Sequence, residues 1–231
     1  MMPTLRPTPI AKTVLAAIWV VTTAWSTACS NTMQNQHIDI SGIFAVKSTF
    51  GPEYKVVTNG PTGIDPRLFA PQKLPANMTI DPAECSKYAQ GQTLPSGLTG
   101  RMATVTAEGD NNRFVAVAVQ TSAQVPYESI SHACNHIAFT GQSVRGAIDV
   151  VDAPHILGAE TLAIHRTLEA TLGGLDRSGE LYNYTAYLGN SVVLVVVNPV
   201  KVPNGPPAVV DVEKARRLLS DSVAAVRGHR F

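Results

Sequence analysis

The fold is decided by residues 179–197, which read GELYNYTAYLGNSVVLVVV. The runs 179–188 and 191–197 are rich in β-branched and aromatic residues, and Gly189-Asn190 joins them. Gly-Asn between two strand-like runs is typical of a tight β-hairpin. The valine run predicts a central strand covered on both faces. It contains seven residues, which are too few to span a membrane.

Alternating apolar and polar residues predict further antiparallel strands. Residues 101–108 and 113–120 alternate in this way around the turn 109–112, which predicts a second hairpin. The prolines of residues 59–82 predict an extended segment without regular structure. Other strand-like segments are 43–50, 54–57, 145–152 and 161–172.

Two helices complete the predicted domain. Asp81 is placed to cap a short helix that carries Cys85 and ends near Gln90. A second helix is predicted over residues 211–227, with an apolar stripe along one side and Gly228 at its end. The predicted fold class is α+β. It comprises an antiparallel sheet of about six or seven strands, a short helix tied by a disulfide, and a C-terminal helix packed on one face.

The N-terminus has the pattern of an export signal. Residues 1–12 carry two basic residues, and residues 13–25 form an uncharged apolar run that is too short to span a bilayer. Residues 26–29, Ser-Thr-Ala-Cys, resemble a bacterial lipobox, in which the cysteine is lipidated. The predicted organisation is a lipoprotein signal peptide over 1–28, a polar tether over 29–37 and a single α+β domain over 38–231.

One residue of the signal departs from the usual lipobox. Ser26 occupies a position where leucine is usual, so cleavage after Ala28 without lipidation is the alternative. Lipidation of Cys29 would anchor the protein to the outer face of the cell membrane, because a diacylglyceryl group supplies two chains.

The cysteine count favours one disulfide in the domain. If Cys29 carries lipid, Cys85 and Cys134 remain, and an exported domain with two cysteines favours their pairing. An alternative is a metal site formed by His132, Cys134 and His136, whose spacing places them on one face of a strand. The disulfide is the preferred interpretation, and no metal or cofactor is predicted.

The formal charge and the absence of known catalytic motifs limit the classes of function that the chain can have. Removing residues 1–28 removes two of the 18 basic residues and none of the 17 acidic ones, which leaves a formal charge of −1. This balance argues against nucleic-acid binding. The sequence has no serine-hydrolase elbow, His-Glu-x-x-His motif, P-loop or Gly-x-Gly-x-x-Gly motif. No catalytic residue is therefore predicted.

Three residues are candidates for ligand binding. Arg166 interrupts an otherwise apolar strand face and could bind an anionic group in a cleft. The alternative places Arg166 at a sheet margin or pairs it with an acid such as Glu180. Tyr182 and Tyr184 share one strand face and could line a groove, although the pattern around them also fits an ordinary two-sided strand.

Several motifs together resemble a known family. They are VKSTFGPEY at 46–54, DPAEC at 81–85, the cysteine at 134, VVDAPH at 150–155 and SGELYNY at 178–184. In these motifs the chain resembles a mycobacterial lipoprotein family of uncharacterised function. That family is distantly similar to the extracellular sensor domain of a mycobacterial serine/threonine kinase. The resemblance implies a disulfide-bonded α+β domain with a cleft, although this chain has only one candidate disulfide.

These observations together predict a non-enzymatic, lipid-anchored envelope protein that binds a ligand or a protein partner. A lipid or glycolipid carrier is the first alternative, and it requires a large apolar cavity. An exported hydrolase with an unrecognised site is the second alternative, and it requires a nucleophile close to a histidine.

Overall fold

The structure is a computed structural model that describes residues 38–64, 74, 77–89, 98–200 and 208–229. All of them belong to one compact unit, Gln36–Phe231. The predicted signal peptide, the tether and Cys29 lie outside the described residues, so the predicted division of the chain stays a prediction. Within the described ranges, no helix has the length and apolar character needed to cross a membrane.

The described residues form one antiparallel sheet of nine strands, which confirms the α+β class and adds to the predicted number of strands. In sheet order the strands run β1-β3-β4-β9-β8-β7-β6-β5-β2. Their bounds are β1 Lys55–Gly63, β2 Thr79–Asp81, β3 Gly100–Gly109, β4 Asn112–Thr121, β5 His136–Thr140, β6 Val144–Val151, β7 Glu160–Leu172, β8 Leu175–Leu188 and β9 Ser191–Pro199.

Both predicted hairpins are present. Strands β8 and β9 pair around Gly189, whose φ of 71° suits glycine. Strands β3 and β4 pair around Asp110 and Asn111, whose φ angles of 47° and 57° indicate the twist-matched turn of a tight hairpin. Strand β9 lies between β4 and β8, and Val195 in it is fully buried. The valine run is therefore the central strand that the sequence predicts.

The sequence predicts neither β2 nor β5, and it predicts only the first part of β1. β2 has three residues, and its only described strand partner is β5. β1 continues into the proline-rich segment, where its register with β3 shifts between Asn59 and Thr62. Pro61 is tolerated there because β1 is an edge strand and needs no hydrogen-bond donor on its outer side. The predicted lack of regular structure over 59–82 is therefore wrong for β2 and for the second part of β1.

The segment 43–50 does not form the predicted strand. Ile40–Thr49 is a 3₁₀ helix, and the Asp39 carboxylate accepts a hydrogen bond from the Ser41 amide at 2.9 Å. Ile40, Ile43 and Val46 are its buried residues. Their spacing of three matches the three residues per turn of a 3₁₀ helix, so burial on one side overrides strand propensity.

The short helix is also built differently from the prediction. Asp81 belongs to β2, and the residue at the N-cap position is Pro82, which provides no side-chain hydrogen bond. A 3₁₀ turn, Ala83–Cys85, leads into α1, Ser86–Ala89. The predicted end near Gln90 lies outside the described residues.

The C-terminal helix is confirmed as α2, Val212–Val226. The Asp211 carboxylate accepts a hydrogen bond from the Lys214 amide at 2.9 Å, and Gly228 follows the helix with a φ of 82°. Helix α2 and the 3₁₀ helix pack on the same side of the sheet, here called the helical face. A Cβ at Gly42 would collide with the carbonyl oxygen of Ala225, so only glycine permits this approach.

The opposite side of the sheet is here called the disulfide face. Its core includes Ile137, Phe139 and Ile148, which pack with Cys85 and Cys134. Side chains alternate between the two faces along every strand, so the register of the strands assigns each polar residue to one of them.

Candidate functional site

The predicted disulfide is present between Cys85 and Cys134. Their Cα atoms are 5.6 Å apart, and both residues are buried. The bond joins the 3₁₀ turn before α1 to the chain just before β5. The alternative metal site at His132, Cys134 and His136 is wrong, because the Cys134 sulfur is consumed by the bond. The described residues contain no cluster of His, Cys, Asp and Glu that could hold a metal ion.

Arg166 is buried on the disulfide face. Its side chain lies beneath α1, where Nη2 donates a hydrogen bond to the carbonyl oxygen of Ala89 at 3.5 Å. Burial lowers the pKa of the Arg166 guanidinium. Strand β7 pairs with both β6 and β8, so the predicted position at a sheet margin is wrong.

The predicted partnership of Arg166 with Glu180 is also wrong. Register places Glu180 opposite Thr167, which is on the helical face, whereas Arg166 points to the disulfide face. Glu180 instead contacts His165. The binding of a ligand by Arg166 stays a prediction.

Tyr182 and Tyr184 both lie on the helical face, so the structure does not bring them together with Arg166. Tyr184 is 2% exposed and belongs to the core under α2. Tyr182 is half-buried, and its ring stacks on the ring of His165 with centroids 4.1 Å apart. Of the two tyrosines, Tyr182 is therefore the one near the surface.

The stacked pair belongs to a row of polar side chains that crosses four strands. Register places His136 opposite Asp149, Asp149 opposite His165, and His165 opposite Tyr182. We call these four residues the polar row. The Nδ1 atom of His136 is 2.6 Å from an Asp149 carboxylate oxygen, and the Nε2 atom of His165 is 3.1 Å from a Glu180 carboxylate oxygen. The alternation in β7 reveals the polar face, but only the strand register assembles the row.

Exposure increases along the row towards the edge of the sheet. The His165 side chain is 19% exposed, the Asp149 side chain 36% and the His136 side chain 67%. At the other end, Tyr182 is opposite Val197, which belongs to the core under α2. The row therefore connects the apolar core to a solvent-facing patch of histidines and carboxylates.

The buried phenols have raised pKa values. Burial raises the pKa of Tyr182 and Tyr184, and the nearby carboxylates of Glu180 and Asp149 raise that of Tyr182 further. The pKa of Tyr54 is raised most strongly, first by burial and then by its hydrogen bond to Asp110. The folded state therefore keeps these phenols protonated at a pH where an unfolded tyrosine ionises.

We expect stability to fall in alkaline solution for this reason. A raised folded-state pKa contributes stability that is complete below about pH 10, the pKa of unfolded tyrosine, and is lost as the pH rises through the folded-state value. Denaturant unfolding at increasing pH, followed together with tyrosinate absorbance, measures the effect. Tyr54→Phe should show a shallower alkaline decline, and an equally steep decline in this variant would contradict the assignment.

A cavity of about 410 Å³ opens where the β5–β6 turn meets strands β7 and β8. We call it the end cavity, and its polar lining residues are mainly Thr140, Ser143, Arg145, Glu169, Arg177 and Ser178. Val144 and Ala170 contribute the apolar side chains of the lining. The cavity was not predicted, because it depends on the register of four strands and on the turn between two of them.

The end cavity contains an exposed ion pair. The Nε atom of Arg145 donates to a Glu169 carboxylate oxygen at 2.6 Å, and the two side chains are 75% and 54% exposed. Exposed pairs of this kind contribute about 0–1 kcal/mol to stability. The pair is therefore not needed to hold the sheet together, and its groups are accessible to solutes.

Comparison with known proteins identifies relatives of the domain. A family model described as a domain of unknown function, DUF5642, matches residues 39–227. The X-ray structure of an uncharacterized protein from Mycobacterium smegmatis is 46% identical and has a TM-score of 0.79. The match covers 84% of this chain and 100% of the Mycobacterium smegmatis protein chain. The resemblance to a mycobacterial family of uncharacterised function is therefore confirmed.

A second solved structure shows weaker similarity. The crystal structure of the extracellular domain of PknH from Mycobacterium tuberculosis is 12% identical and has a TM-score of 0.37. The match covers 83% of this chain and 92% of the PknH domain chain. The search of curated proteins finds no match.

Proposed function

The chain belongs to the DUF5642 family of domains of unknown function. We propose that it is an exported, lipid-anchored protein. Its domain binds a ligand or a protein partner and does not catalyse a reaction. The observation that carries this proposal is the disulfide between Cys85 and Cys134.

The disulfide supports export because of where such bonds persist. Disulfides form in oxidising compartments and are rare in the cytoplasm, where thiols are kept reduced. Here the two sulfurs lie inside a hydrophobic cluster with Ile137, Phe139 and Ile148, so the bond is part of the core. A domain whose core includes a disulfide is suited to the outside of the cell.

The anchor is proposed from the sequence. The apolar run 13–25 followed by Ser-Thr-Ala-Cys supports lipidation at Cys29, and both lie outside the described residues. The polar residues 30–37 would hold the domain away from the membrane surface, because such a stretch buries little apolar area.

The polar surface features support binding over catalysis. His165 contacts the Glu180 carboxylate and the face of the Tyr182 ring, so its described partners include no serine, threonine or cysteine nucleophile. The end cavity has a polar lining, which suits a polar ligand better than an acyl chain. This lining favours a binding domain over a lipid carrier.

Mass spectrometry of the protein purified with membranes from an actinobacterial host tests the proposal. We expect a diacylglyceryl mass on Cys29 at the new N-terminus and the loss of two hydrogens at Cys85 and Cys134. Cys29→Ser is the matched control and should move the protein from the membrane fraction to the soluble fraction. An unmodified Cys29 together with three free thiols would reject the proposal.

A further inference from the structure

An apolar side chain stands at the tip of the turn between β6 and β7. Leu157 is 84% exposed, although the first and last residues of the turn, Ile156 and Ala159, pack against the core under α2. The Ala159 amide donates to the Ile156 carbonyl oxygen at 3.1 Å, and Gly158 has a φ of 69°. Glycine with a positive φ at the third position is typical of a type II turn. The turn is therefore closed and rooted in the core, while Leu157 is left in solvent.

Arg227, at the end of α2, fixes this turn. Its Nη1 atom donates to the Leu157 carbonyl oxygen at 2.8 Å, and its Nη2 atom donates to the Gly158 carbonyl oxygen at 2.9 Å. Two hydrogen bonds from one planar guanidinium set both the position and the orientation of the backbone that they contact. A contact through Leu157 therefore needs little further ordering of the turn. We call residues 156–159 the apolar turn.

The chain enters the domain beside the apolar turn. The Asp39 amide donates to the Val226 carbonyl oxygen at 2.9 Å, and Arg227 is the next residue. Ile38, which packs against the core, lies nine residues after Cys29. Nine residues span at most about 30 Å. A lipid on Cys29 would therefore hold the end of the domain that carries the apolar turn within about 30 Å of the bilayer surface.

The sheet extends away from this end of the domain. Strand β7 begins at Glu160, directly after the apolar turn, and its 13 residues extend about 40 Å. Its far end lines the end cavity and carries the exposed Leu168, and the exposed Leu175 begins β8 there. Of the exposed leucines in the described part of the chain, Leu157 is therefore the one beside the predicted anchor.

The polar residues near the apolar turn carry mixed charge. Asp152, His155, Glu160 and His229 are all exposed. This balance gives no strong attraction to anionic headgroups, so a contact with lipid depends on burial of Leu157. Burial of a leucine side chain shifts an equilibrium about tenfold or more. A tether raises the local concentration of the bilayer, so one apolar contact is enough to favour a docked domain.

We propose that the apolar turn docks on the lipid bilayer, with Leu157 inserted at the bilayer interface and Arg227 as the residue that positions it. The inference rests on the proposed function, because the anchor at Cys29 brings the turn to the membrane. Docking fixes the orientation of the domain. The end cavity then faces away from the membrane, about 40 Å from its surface.

Tryptophan fluorescence tests the docking. Both tryptophans of the chain, Trp19 and Trp25, belong to the predicted signal peptide, and the wild-type spectrum serves as the baseline. Leu157→Trp is expressed as the full chain in an actinobacterial host, purified from membranes and placed in phosphatidylcholine vesicles with or without brominated acyl chains. We expect its emission to shift to shorter wavelength and to lose intensity to the bromine atoms, because the indole ring then lies in the bilayer interface.

The matched control lies at the other end of α2. Val209 is 86% exposed, and its carbonyl oxygen accepts a hydrogen bond from the Asn112 side chain at 3.2 Å. The 15 residues of α2 separate the two ends by about 22 Å. Val209→Trp should show no shift and no loss of emission to bromine. Equal quenching of the two variants would overturn the proposal. So would unquenched emission from Leu157→Trp, the result expected if the turn binds a protein partner instead.

A second reporter tests the leucine itself. His155 is exposed two residues before Leu157, so His155→Trp introduces the indole ring and keeps the leucine. His155→Trp should be quenched by brominated lipid. Adding Leu157→Ser should lower the ratio of docked to free domain about tenfold. Undiminished quenching in the double variant would reject Leu157 as the docking residue.

The mass of the same samples separates failure of the docking from failure of the proposed function. Unquenched Leu157→Trp in protein that carries lipid on Cys29 rejects the docking and leaves the anchored protein standing. If Cys29 is unmodified, its thiol is not used by the disulfide and can be coupled to a maleimide-bearing lipid in the vesicles. Quenching in the coupled protein supports the docking and leaves only the natural anchor rejected, whereas no quenching rejects both.

Discussion

Replacing Cys85 and Cys134 together with alanine is expected to lower the free energy of unfolding by about 4 kcal/mol. The bond joins residues 49 positions apart, and breaking it restores the entropy of that loop to the unfolded chain. The native state also loses a link between α1 and β5 within the core of the disulfide face. Denaturant unfolding of the oxidised full chain and of the double variant measures the difference.

Reduction of the wild-type protein is the matched control for this prediction. Wild type treated with dithiothreitol should unfold at nearly the same denaturant concentration as the double variant, which dithiothreitol should not affect. Hydrogen exchange should rise most in α1, because the disulfide joins the turn before α1 to the chain before β5. A double variant as stable as the oxidised wild type would show that the bond contributes no stability.

Phe114→Ala is expected to lower the free energy of unfolding by about 3–5 kcal/mol. Phe114 is fully buried on the helical face, where its ring centroid lies 5.8 Å from that of Phe50 and 6.1 Å from that of Tyr54. Lys214 of α2 places its Nζ atom 4.0 Å from the centroid of the Tyr54 ring. Phe114 thus packs in the cluster where β4, the end of the 3₁₀ helix and α2 meet.

The next residue on the same strand provides the control. Val115 points to the disulfide face and is half-buried. Val115→Ala should therefore lower the free energy of unfolding by only about 1 kcal/mol. Phe114→Leu keeps most of the apolar volume, so its loss of unfolding free energy should lie between those of Phe114→Ala and Val115→Ala. Thermal and denaturant unfolding check all three variants. Equal losses for Phe114→Ala and Val115→Ala would disprove the special position of Phe114.

Local chemistry explains which elements could be predicted. The turns at Gly189 and at Asp110-Asn111 need residues that tolerate positive φ, and their sequences have them. The start of α2 is marked by Asp211 and its end by Gly228. The 3₁₀ helix was mistaken for a strand because its residues have high strand propensity, and only packing against α2 and the sheet selects the helix.

The candidate sites could be predicted less completely than the helices and strands. Arg166 and Tyr182 were recognised as unusual, but their faces and partners depend on how β7 pairs with β6 and β8. A shift of one residue in that register would move Glu180 to the other face of the sheet. The polar row and the end cavity each combine residues from four strands, so no local spacing encodes them.

The amino-acid sequence by itself determined the two hairpins, the capped C-terminal helix, the pairing of Cys85 with Cys134 and the α+β class. These features depend on turn residues, on apolar periodicity within a segment or on a count of cysteines. Only the tertiary structure decided which face each polar side chain occupies, that Arg166 is buried under α1, and that Arg145 and Glu169 line one cavity. The physical reason is that strand register and packing join residues distant in the chain, and no short-range preference specifies that choice.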